Sequence, residues 1–143
     1  MTVKRVTPDE AKQLLDEGWI YVDVRSTSEF EAGHPAGAYN VPLNHAEPGR
    51  GMTPNPEFEQ VMERAFSKSD KLVIGCKSGG RSLRAAQMLT ELGFTELVDM
   101  RGGFGGEVDR QTGAVACEGW EARGLPVERE AGSERDYASL KNR

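Results

Sequence analysis

Short apolar runs alternate with amphipathic segments along the chain. The run at 72–74 is continuous, as in a strand that is buried on both faces of a sheet. Runs at 3–6, 19–25 and 96–99 predict further strands, the first of them at a sheet edge. Between the runs, apolar residues recur at the spacing that is typical of amphipathic helices. This alternation predicts an α/β fold, with a parallel sheet of about five strands and helices on both of its faces.

Capping residues predict where two of the helices begin. Thr7 is followed three residues later by Glu10, and this pair is typical of a capping box. Asn55 and Pro56 predict the start of a second helix, with Asn55 as the N-cap and Pro56 at the first helical position. Residues 44–54, which precede that helix, are rich in Pro and Gly and are predicted to form a loop.

A cysteine stands where the predicted central strand ends. Cys76 follows the apolar run, Gly79 and Gly80 permit a tight turn, and a helical pattern starts at Arg81. The glycines let backbone N–H groups converge on an anion, and the helix start points its free N–H groups the same way. Lys77 and Arg81 add positive charge, so every feature favours the nucleophilic thiolate over the thiol. The alternative is a buried structural cysteine, which needs neither the double glycine nor the flanking cations.

The loop that begins at Cys76 resembles the active-site loop of single-domain rhodaneses, the thiosulfate sulfurtransferase family. This resemblance implies that Cys76 carries a sulfur atom as a persulfide, which the backbone amides of the loop cradle. It also implies that the following five residues bind the donor: Lys77, Ser78, Gly79, Gly80 and Arg81. Ser82 is expected to support them, and no metal or organic cofactor is implied.

A second segment that resembles the rhodaneses surrounds the strand at 19–25. Asp23 and Arg25 stand at the carboxyl end of this strand, where open α/β sheets bind their ligands. Asp23 is expected either to accept N–H groups of the active loop or to pair with Arg25 and tie strand ends together. His34 is expected to satisfy backbone groups of its turn rather than to act as a general base. The order and spacing of the residues that follow also match: Gly33-His34, Gly37-Ala38 and Asn40-Val41-Pro42.

Composition and charge narrow the class of function. The 143 residues include 18 Lys+Arg against 23 Asp+Glu, and the net charge of −5 argues against a general nucleic-acid binder. No apolar stretch approaches membrane-spanning length, and residues 1–5 contain no apolar signal core. Cys76 and Cys117 fit neither a disulfide framework nor a Cys-x-x-Cys metal site. We therefore expect a cytoplasmic protein that binds neither nucleic acid nor membrane.

The resemblance covers residues 3–128 with one interruption. Gly102 and Gly103 match a Gly-Gly of the family, and residues 119–127 match the Trp-containing helix and the Gly-Leu-Pro-Val that follow it in the family. Residues 104–118 between these matches exceed the compact family pattern. They include Cys117, which is expected to be an incidental thiol unless it resolves a sulfur intermediate.

The expected domain organisation is one rhodanese-like domain over residues 1–128, with the insertion around 104–118. Residues 129–143 are mostly charged and polar and are assigned to a C-terminal tail. Tyr137 and Leu140 have the spacing of a short docked helix, but a frayed tail is the expectation.

Together with the resemblance, these residues predict a sulfurtransferase. Cys76 attacks the outer sulfur of thiosulfate or a similar small anionic donor, sulfite leaves, and cyanide or a thiol, including a protein cysteine, removes the bound sulfur. One alternative is a persulfide carrier without turnover of its own, because a carrier needs the same cysteine. A second is a rhodanese-fold phosphatase, whose loop is Cys-x5-Arg. Here four residues separate Cys76 from Arg81, and Ser82 occupies the position of the phosphatase arginine.

Overall fold

The computed structural model describes residues 3–47, 51–77, 80–109, 111–130 and 134–142. Two of the predicted site residues, Ser78 and Gly79, lie outside the described residues. The helices and strands, in chain order, are β1 (Lys4–Val6), α1 (Pro8–Asp16), β2 (Ile20–Asp23), α2 (Thr27–Ala32), β3 (His34–Pro35), β4 (Tyr39–Asn40), β5 (Asn44–Glu47), β6 (Gly51–Pro54), α3 (Phe58–Ala65), β7 (Leu72–Gly75), α4 (Gly80–Glu91), β8 (Leu97–Met100), β9 (Glu107–Val108), β10 (Val115–Cys117), β11 (Val127–Glu128) and α5 (Tyr137–Lys141).

The main sheet has five strands in the order β1-β8-β7-β2-β4, and every neighbouring pair is parallel. The predicted α/β fold with a five-stranded parallel sheet is therefore confirmed, and β1 lies at an edge as expected. β7 lies at the centre, where both of its faces are covered, which explains its unbroken apolar run. Because the strands are parallel, the carboxyl ends of β2, β7 and β8 meet at one edge of the sheet.

Two apolar layers cover the sheet, one on each face, as the sequence predicts. Along β7, Leu72 and Ile74 belong to one layer and Val73 to the other, which follows the two-residue period of a strand. Helices α3, α4 and α5 supply the first layer, and α1 and α2 supply the second. Cys76 belongs to the first layer, two residues beyond Ile74. In the described part of the chain, no helix has the length and apolarity needed to cross a membrane.

The two predicted helix starts have different outcomes. The capping box of α1 is confirmed, because the Thr7 side chain accepts from the Glu10 N–H and the Glu10 side chain accepts from the Thr7 N–H. The predicted start of α3 at Asn55 is wrong, since α3 begins at Phe58 with Glu57 as its N-cap residue. The Asn55 side-chain oxygen accepts from the Glu57 N–H in a local turn, while its amide group donates to the Pro42 carbonyl at 2.9 Å. These contacts hold Asn55 outside the helix.

The predicted loop over residues 44–54 is wrong where the structure describes it. β5 and β6 form an antiparallel hairpin in which His45 pairs with Thr53 and Ala46 pairs with Met52. The hairpin is short and polar, and Met52 is exposed, so the segment carries no alternation of apolar residues that would have indicated strands.

The frayed C-terminal tail is also a wrong expectation for residues 134–142. α5 forms there, and both Tyr137 and Leu140 are buried in the layer that contains α3. The Tyr137 hydroxyl accepts a hydrogen bond from the Asn55 amide at 3.2 Å. The charged composition hides this helix in the sequence, because only two of its side chains are buried.

The insertion forms a small antiparallel hairpin of β9 and β10, in which Val108 pairs with Val115. After it, residues 120–124 form turns rather than the helix that the family pattern implies. Trp120 is nevertheless buried, and its ring N–H donates to the Pro126 carbonyl at 2.7 Å. β11 then pairs with β3 and returns the chain to the main domain.

Candidate active site

Cys76 lies directly after β7, at the carboxyl edge of the sheet, and is 1% exposed. Its Sγ donates a hydrogen bond to the Ser82 Oγ over 3.4 Å. Ser82 lies in the first turn of α4, a helix of 12 residues, so the positive end of the helix dipole lies close to the sulfur. The order of strand, cysteine and helix is the one that the sequence predicts. Such burial is compatible with a structural cysteine, so any special role depends on the polar groups around the sulfur.

The segment after β8 fixes the backbone at Cys76. The Phe104 N–H donates to the Cys76 carbonyl at 2.6 Å, and the Gly105 N–H donates to the Lys77 carbonyl at 2.7 Å. Gly103 has a φ of +58°, and a Cβ placed there would lie 2.4 Å from the Cys76 carbonyl oxygen. A side chain at this position would both strain the backbone and displace the active loop. Gly103, the second glycine of the Gly102-Gly103 match, therefore supports the backbone at Cys76.

A buried polar network lies behind the sulfur. Ser82 donates its hydroxyl proton to Oδ1 of Asp99, and Oδ2 of Asp99 accepts from Nε of Arg5 at 2.7 Å. Ser82 and Asp99 are both fully buried, and Arg5 and Asp99 are register partners on β1 and β8. Burial raises the pKa of Asp99, although the hydrogen bonds from Ser82 and Arg5 oppose this effect. The sequence pattern does not indicate Asp99 or Arg5 as site residues, and it predicts only a supporting role for Ser82.

Arg81, a predicted donor-binding residue, pairs with Glu29. Its Nη1 and Nη2 lie 2.8 and 3.0 Å from the two carboxylate oxygens of Glu29. Burial would raise the pKa of Glu29, but the hydrogen bonds from Arg81 and the Ser26 N–H outweigh it and lower the pKa to about 2. The Glu29 hydrogen bonds raise the pKa of Arg81 against the effect of its burial, and the Cys76 sulfur contributes in the same direction. The Arg81 charge therefore acts on the sulfur while its side chain joins α4 to α2.

The two other described residues of the predicted loop are exposed. Lys77 follows the cysteine directly, and its side chain lies against Gly105. Gly80 is the first residue of α4. Lys77 thus supplies an exposed cation next to Cys76 in the sequence.

Asp23 and Arg25 form a buried pair at the end of β2. Nε of Arg25 lies 3.0 Å from both Asp23 oxygens, and its Nη2 lies 2.7 Å from Oδ2. The same guanidinium donates to the Gly33 carbonyl at 2.6 Å and lies 4.5 Å from the centre of the Phe104 ring. These contacts favour the second of the two roles considered for Asp23, a pair with Arg25 that ties strand ends together.

His34 serves its turn and the neighbouring strand. Its Nδ1 lies 2.6 Å from the Phe30 carbonyl oxygen, and its Nε2 lies 3.2 Å from Oε1 of Glu128. The ring is fully buried and stacks on the Phe30 ring with a centroid distance of 3.6 Å. The expectation that His34 satisfies a backbone group is confirmed.

Cys117 lies on the other side of the Gly-Gly turn. Its Sγ is 3.7 Å from the Arg101 carbonyl oxygen, and a Cβ at Gly102 would lie 2.9 Å from this sulfur. Gly103, by contrast, faces the Cys76 carbonyl. Across the residues that the structure describes, no three His, Cys, Asp or Glu side chains are grouped so that they could hold a metal ion.

The fold and the site together define an α/β protein with a parallel sheet, in which a cysteine lies between the central strand and the helix that follows it. Comparison with known proteins identifies the family. The family model of the Rhodanese-like domain matches residues 7–106, and the chain belongs to this family. The match ends directly before the β9–β10 hairpin of the insertion.

Relatives of similar length carry sulfurtransferase names. Thiosulfate sulfurtransferase 16, chloroplastic, from Arabidopsis thaliana is 38% identical over 117 residues, which are 82% of this chain and 86% of that protein. Thiosulfate sulfurtransferase GlpE from Haemophilus influenzae (strain PittEE) is 31% identical over 106 residues, 74% of this chain and 89% of that protein. The crystal structure of Rv0390 from M. tuberculosis matches with a TM-score of 0.74 at 27% identity, over 91% of this chain and 100% of that chain.

Other relatives are longer than this chain. Senescence-associated protein DIN1 from Raphanus sativus is 43% identical over 94 residues, which are 66% of this chain and 51% of that protein. This chain therefore spans about half the length of that relative. The names of some relatives include the words chloroplastic or mitochondrial. The cytoplasmic location expected from the sequence stays a prediction.

Proposed function

We propose that this protein is a thiosulfate sulfurtransferase that works through a persulfide on Cys76. The observation that carries the proposal is the position of the Cys76 sulfur, directly after the central strand and beside Ser82 in the first turn of α4. An anionic sulfur at this position is stabilised by the positive end of the α4 dipole. The names of two relatives of similar length support the same reaction.

The reaction proceeds in two steps. The Cys76 thiolate attacks the outer sulfur of thiosulfate, the S–S bond of the donor breaks, and sulfite leaves with the bonding electrons. A nucleophilic acceptor, cyanide in an assay or a thiol such as a protein cysteine in the cell, then takes the outer sulfur and regenerates the thiolate. Lys77 is exposed, follows the cysteine directly in the sequence and attracts the anionic donor, while the charge of Arg81 acts on the sulfur.

The first prediction concerns the covalent intermediate. Incubation with thiosulfate should add one sulfur atom to the mass of the intact protein, and cyanide should remove it. Cys76→Ser should abolish the gain, while the control Cys117→Ser should retain it, because Cys117 lies across the Gly-Gly turn. A mass gain that survives in Cys76→Ser, or that depends on Cys117, would overturn the assignment.

The same preparations separate an enzyme from a persulfide carrier. An enzyme forms thiocyanate from thiosulfate and cyanide continuously, whereas a carrier releases a single equivalent and stops. We expect continuous formation, because the donor reacts with the same thiolate that the acceptor regenerates. A single equivalent from a fully loaded protein would support the carrier.

An aryl phosphate supplied to the same protein tests the phosphatase alternative. Ser82 stands where a phosphatase has its arginine, and its hydroxyl points to Asp99 rather than presenting a guanidinium to a phosphoryl group. We therefore expect negligible hydrolysis. Hydrolysis that depends on Cys76, without sulfur transfer, would favour the phosphatase.

A further inference from the structure

Three fully buried side chains from different parts of the sequence are joined by hydrogen bonds. Cys76 follows β7, Ser82 belongs to α4 and Asp99 belongs to β8, and each is at most 1% exposed. The Cys76 Sγ and the Ser82 Oγ are 3.4 Å apart, and the Ser82 hydroxyl contacts Oδ1 of Asp99. Arg5 holds the other Asp99 oxygen at 2.7 Å. We call Cys76, Ser82 and Asp99 the thiol relay.

The direction of the hydrogen bonds limits what the thiol relay can do. A serine hydroxyl has one proton to donate, and Ser82 donates it to Asp99. The Ser82 oxygen therefore faces Cys76 as an acceptor, and the sulfur must be the donor. This arrangement suits a Cys76 thiol and an Asp99 carboxylate. A Cys76 thiolate cannot donate, so its hydrogen bond with Ser82 persists only if Ser82 donates to the sulfur and Asp99 donates to Ser82.

We propose that Asp99 is the proton acceptor for Cys76 and that it acts through Ser82. The Cys76 S–H proton moves to the Ser82 oxygen as the Ser82 proton moves to Oδ1 of Asp99. The products are a thiolate that accepts from the Ser82 hydroxyl and a neutral Asp99 carboxyl that donates to the Ser82 oxygen. One negative charge has moved from Asp99 to Cys76, so protons and charge balance without a further reactant.

This assignment deepens the proposed function and rests on Cys76 being its nucleophile. Asp99 is fully buried behind Ser82 and is a positioning residue for the thiol proton. Burial of the carboxyl favours its neutral form, which is the form that the transfer produces. Arg5 on β1, Tyr21 on β2 and Arg81 on α4 are charged or titratable groups that also interact with Cys76 or Asp99. Lys77 lies next to Cys76 in sequence.

A purely structural Asp99 makes the opposite prediction for the thiol. If Asp99 only anchors β1 to β8 through Arg5, its replacement by Asn removes a negative charge near the sulfur. That change favours a thiolate, so Cys76 should react faster near neutral pH. If Asp99 takes the thiol proton, Asp99→Asn removes the acceptor and Cys76 should react more slowly. The sign of the change therefore separates the two roles.

The test measures the rate at which iodoacetamide alkylates Cys76 between about pH 5 and pH 9. All variants carry Cys117→Ser, so that Cys76 is the only reporting thiol. With the relay intact, the rate should remain nearly constant over the lower part of this range. In Asp99→Asn and Ser82→Ala it should rise about tenfold per pH unit and fall at least about tenfold below the parent protein near pH 6. The double variant should be no slower than either single variant, because both act on one proton path.

Two control variants accompany this test. One removes a carboxylate elsewhere on the surface, and the other restores the hydroxyl at position 82. Asp9→Asn removes an exposed carboxylate that pairs with Arg123 and should leave the alkylation profile unchanged. Ser82→Thr retains the hydroxyl and should restore most of the alkylation rate that is lost in Ser82→Ala. If Asp99→Asn does not fold, the comparison of Ser82→Ala with Ser82→Thr still tests the relay. Alkylation that is as fast in Ser82→Ala or Asp99→Asn as in the parent protein would overturn the relay. The proposed function fails separately, through absence of the thiosulfate-dependent mass gain.

Discussion

Arg81 shows that one residue can serve both the predicted site and the fold. Its charge lies near the Cys76 sulfur, yet its guanidinium binds both oxygens of Glu29. Glu29 also accepts from the Ser26 backbone in the capping box of α2. The pair thus fastens the active loop to a helix on the other face of the sheet. Sequence indicates the charge of Arg81 but not this partner, which lies 52 positions away.

The second prediction concerns the contribution of this pair to stability. Glu29→Gln should lower the free energy of unfolding near neutral pH by about 1–2 kcal/mol, after allowance for solvent screening. The pKa of Glu29 is lowered from 4.5 to about 2 in the folded protein, so this contribution is present above pH 4.5 and is lost as the pH falls through about 2. Urea unfolding at several pH values measures it.

Glu31→Gln provides the matched control, because Glu31 is an exposed carboxylate on the same helix. This variant should change the free energy of unfolding by less than about 0.5 kcal/mol. Equal losses in the two variants, or a Glu29→Gln loss that persists unchanged at the lowest pH, would contradict the explanation.

At the residue scale, the sequence predicts those parts of the site whose residues are close together along the chain. Cys76, Lys77 and Arg81 share one loop, and their chemistry follows from the strand, the glycines and the helix start. Arg5 and Asp99 are 94 positions apart and meet only because β1 pairs with β8. Nothing in the local sequence indicates that pairing, so the network behind the sulfur needs the structure.

At the scale of elements, the sequence predicts a helix correctly where the residues that fix its start are neighbours along the chain. It fails where contacts with distant residues decide the structure. The Thr7 capping box is complete within one turn, and α1 begins where it predicts. Asn55 carries an equally strong local signal, but the Pro42 carbonyl and the Tyr137 hydroxyl bind its amide and keep it in a turn. α5 is short and charged, so the sequence does not predict it; two of its apolar side chains are buried in the layer that contains α3. The central strand and α4 were predictable because their apolar periodicity reflects burial directly.

The third prediction concerns the turn that follows β8. Gly103→Ala places a Cβ 2.4 Å from the Cys76 carbonyl oxygen and 2.7 Å from the Lys77 carbonyl carbon. Because these are backbone atoms, the active loop must shift. We expect sulfur transfer to fall at least about tenfold, since misplaced reacting groups lose rate steeply. The assay is thiocyanate formation, normalised to the folded fraction.

Gly113→Ala separates loop displacement from backbone strain. Gly113 has a φ of +74° and no atom within 4 Å of an added Cβ. Alanine there should cost about 1–2 kcal/mol of stability and leave sulfur transfer unchanged. If both variants lose the same activity per folded molecule, strain alone explains the effect and the contact with the Cys76 carbonyl does not.

At the scale of the whole molecule, segments from the C-terminal half of the sequence pair with strands and helices from the N-terminal half. β8 inserts between β1 and β7, β11 pairs with β3, and Arg123 lies 2.6 Å from Asp9 on α1. α5 continues this pattern by packing near α3 and β4. A helix of 5 residues is not stable alone, so its presence depends on the core that it covers.

The fourth prediction tests this closure by α5. Leu140 is fully buried in the layer that also contains Cys76, and Leu140→Ala should lower the free energy of unfolding by about 2–4 kcal/mol. Val115→Ala is the control, because Val115 is 61% exposed and should cost less than about 0.5 kcal/mol. Sulfur transfer per folded molecule should remain within about twofold of the parent protein, since α5 contacts α3 and β4 rather than the carboxyl end of β7. Urea unfolding and thiocyanate formation on the same samples give both quantities. A Leu140→Ala protein as stable as the Val115→Ala control would mean that α5 does not close the core.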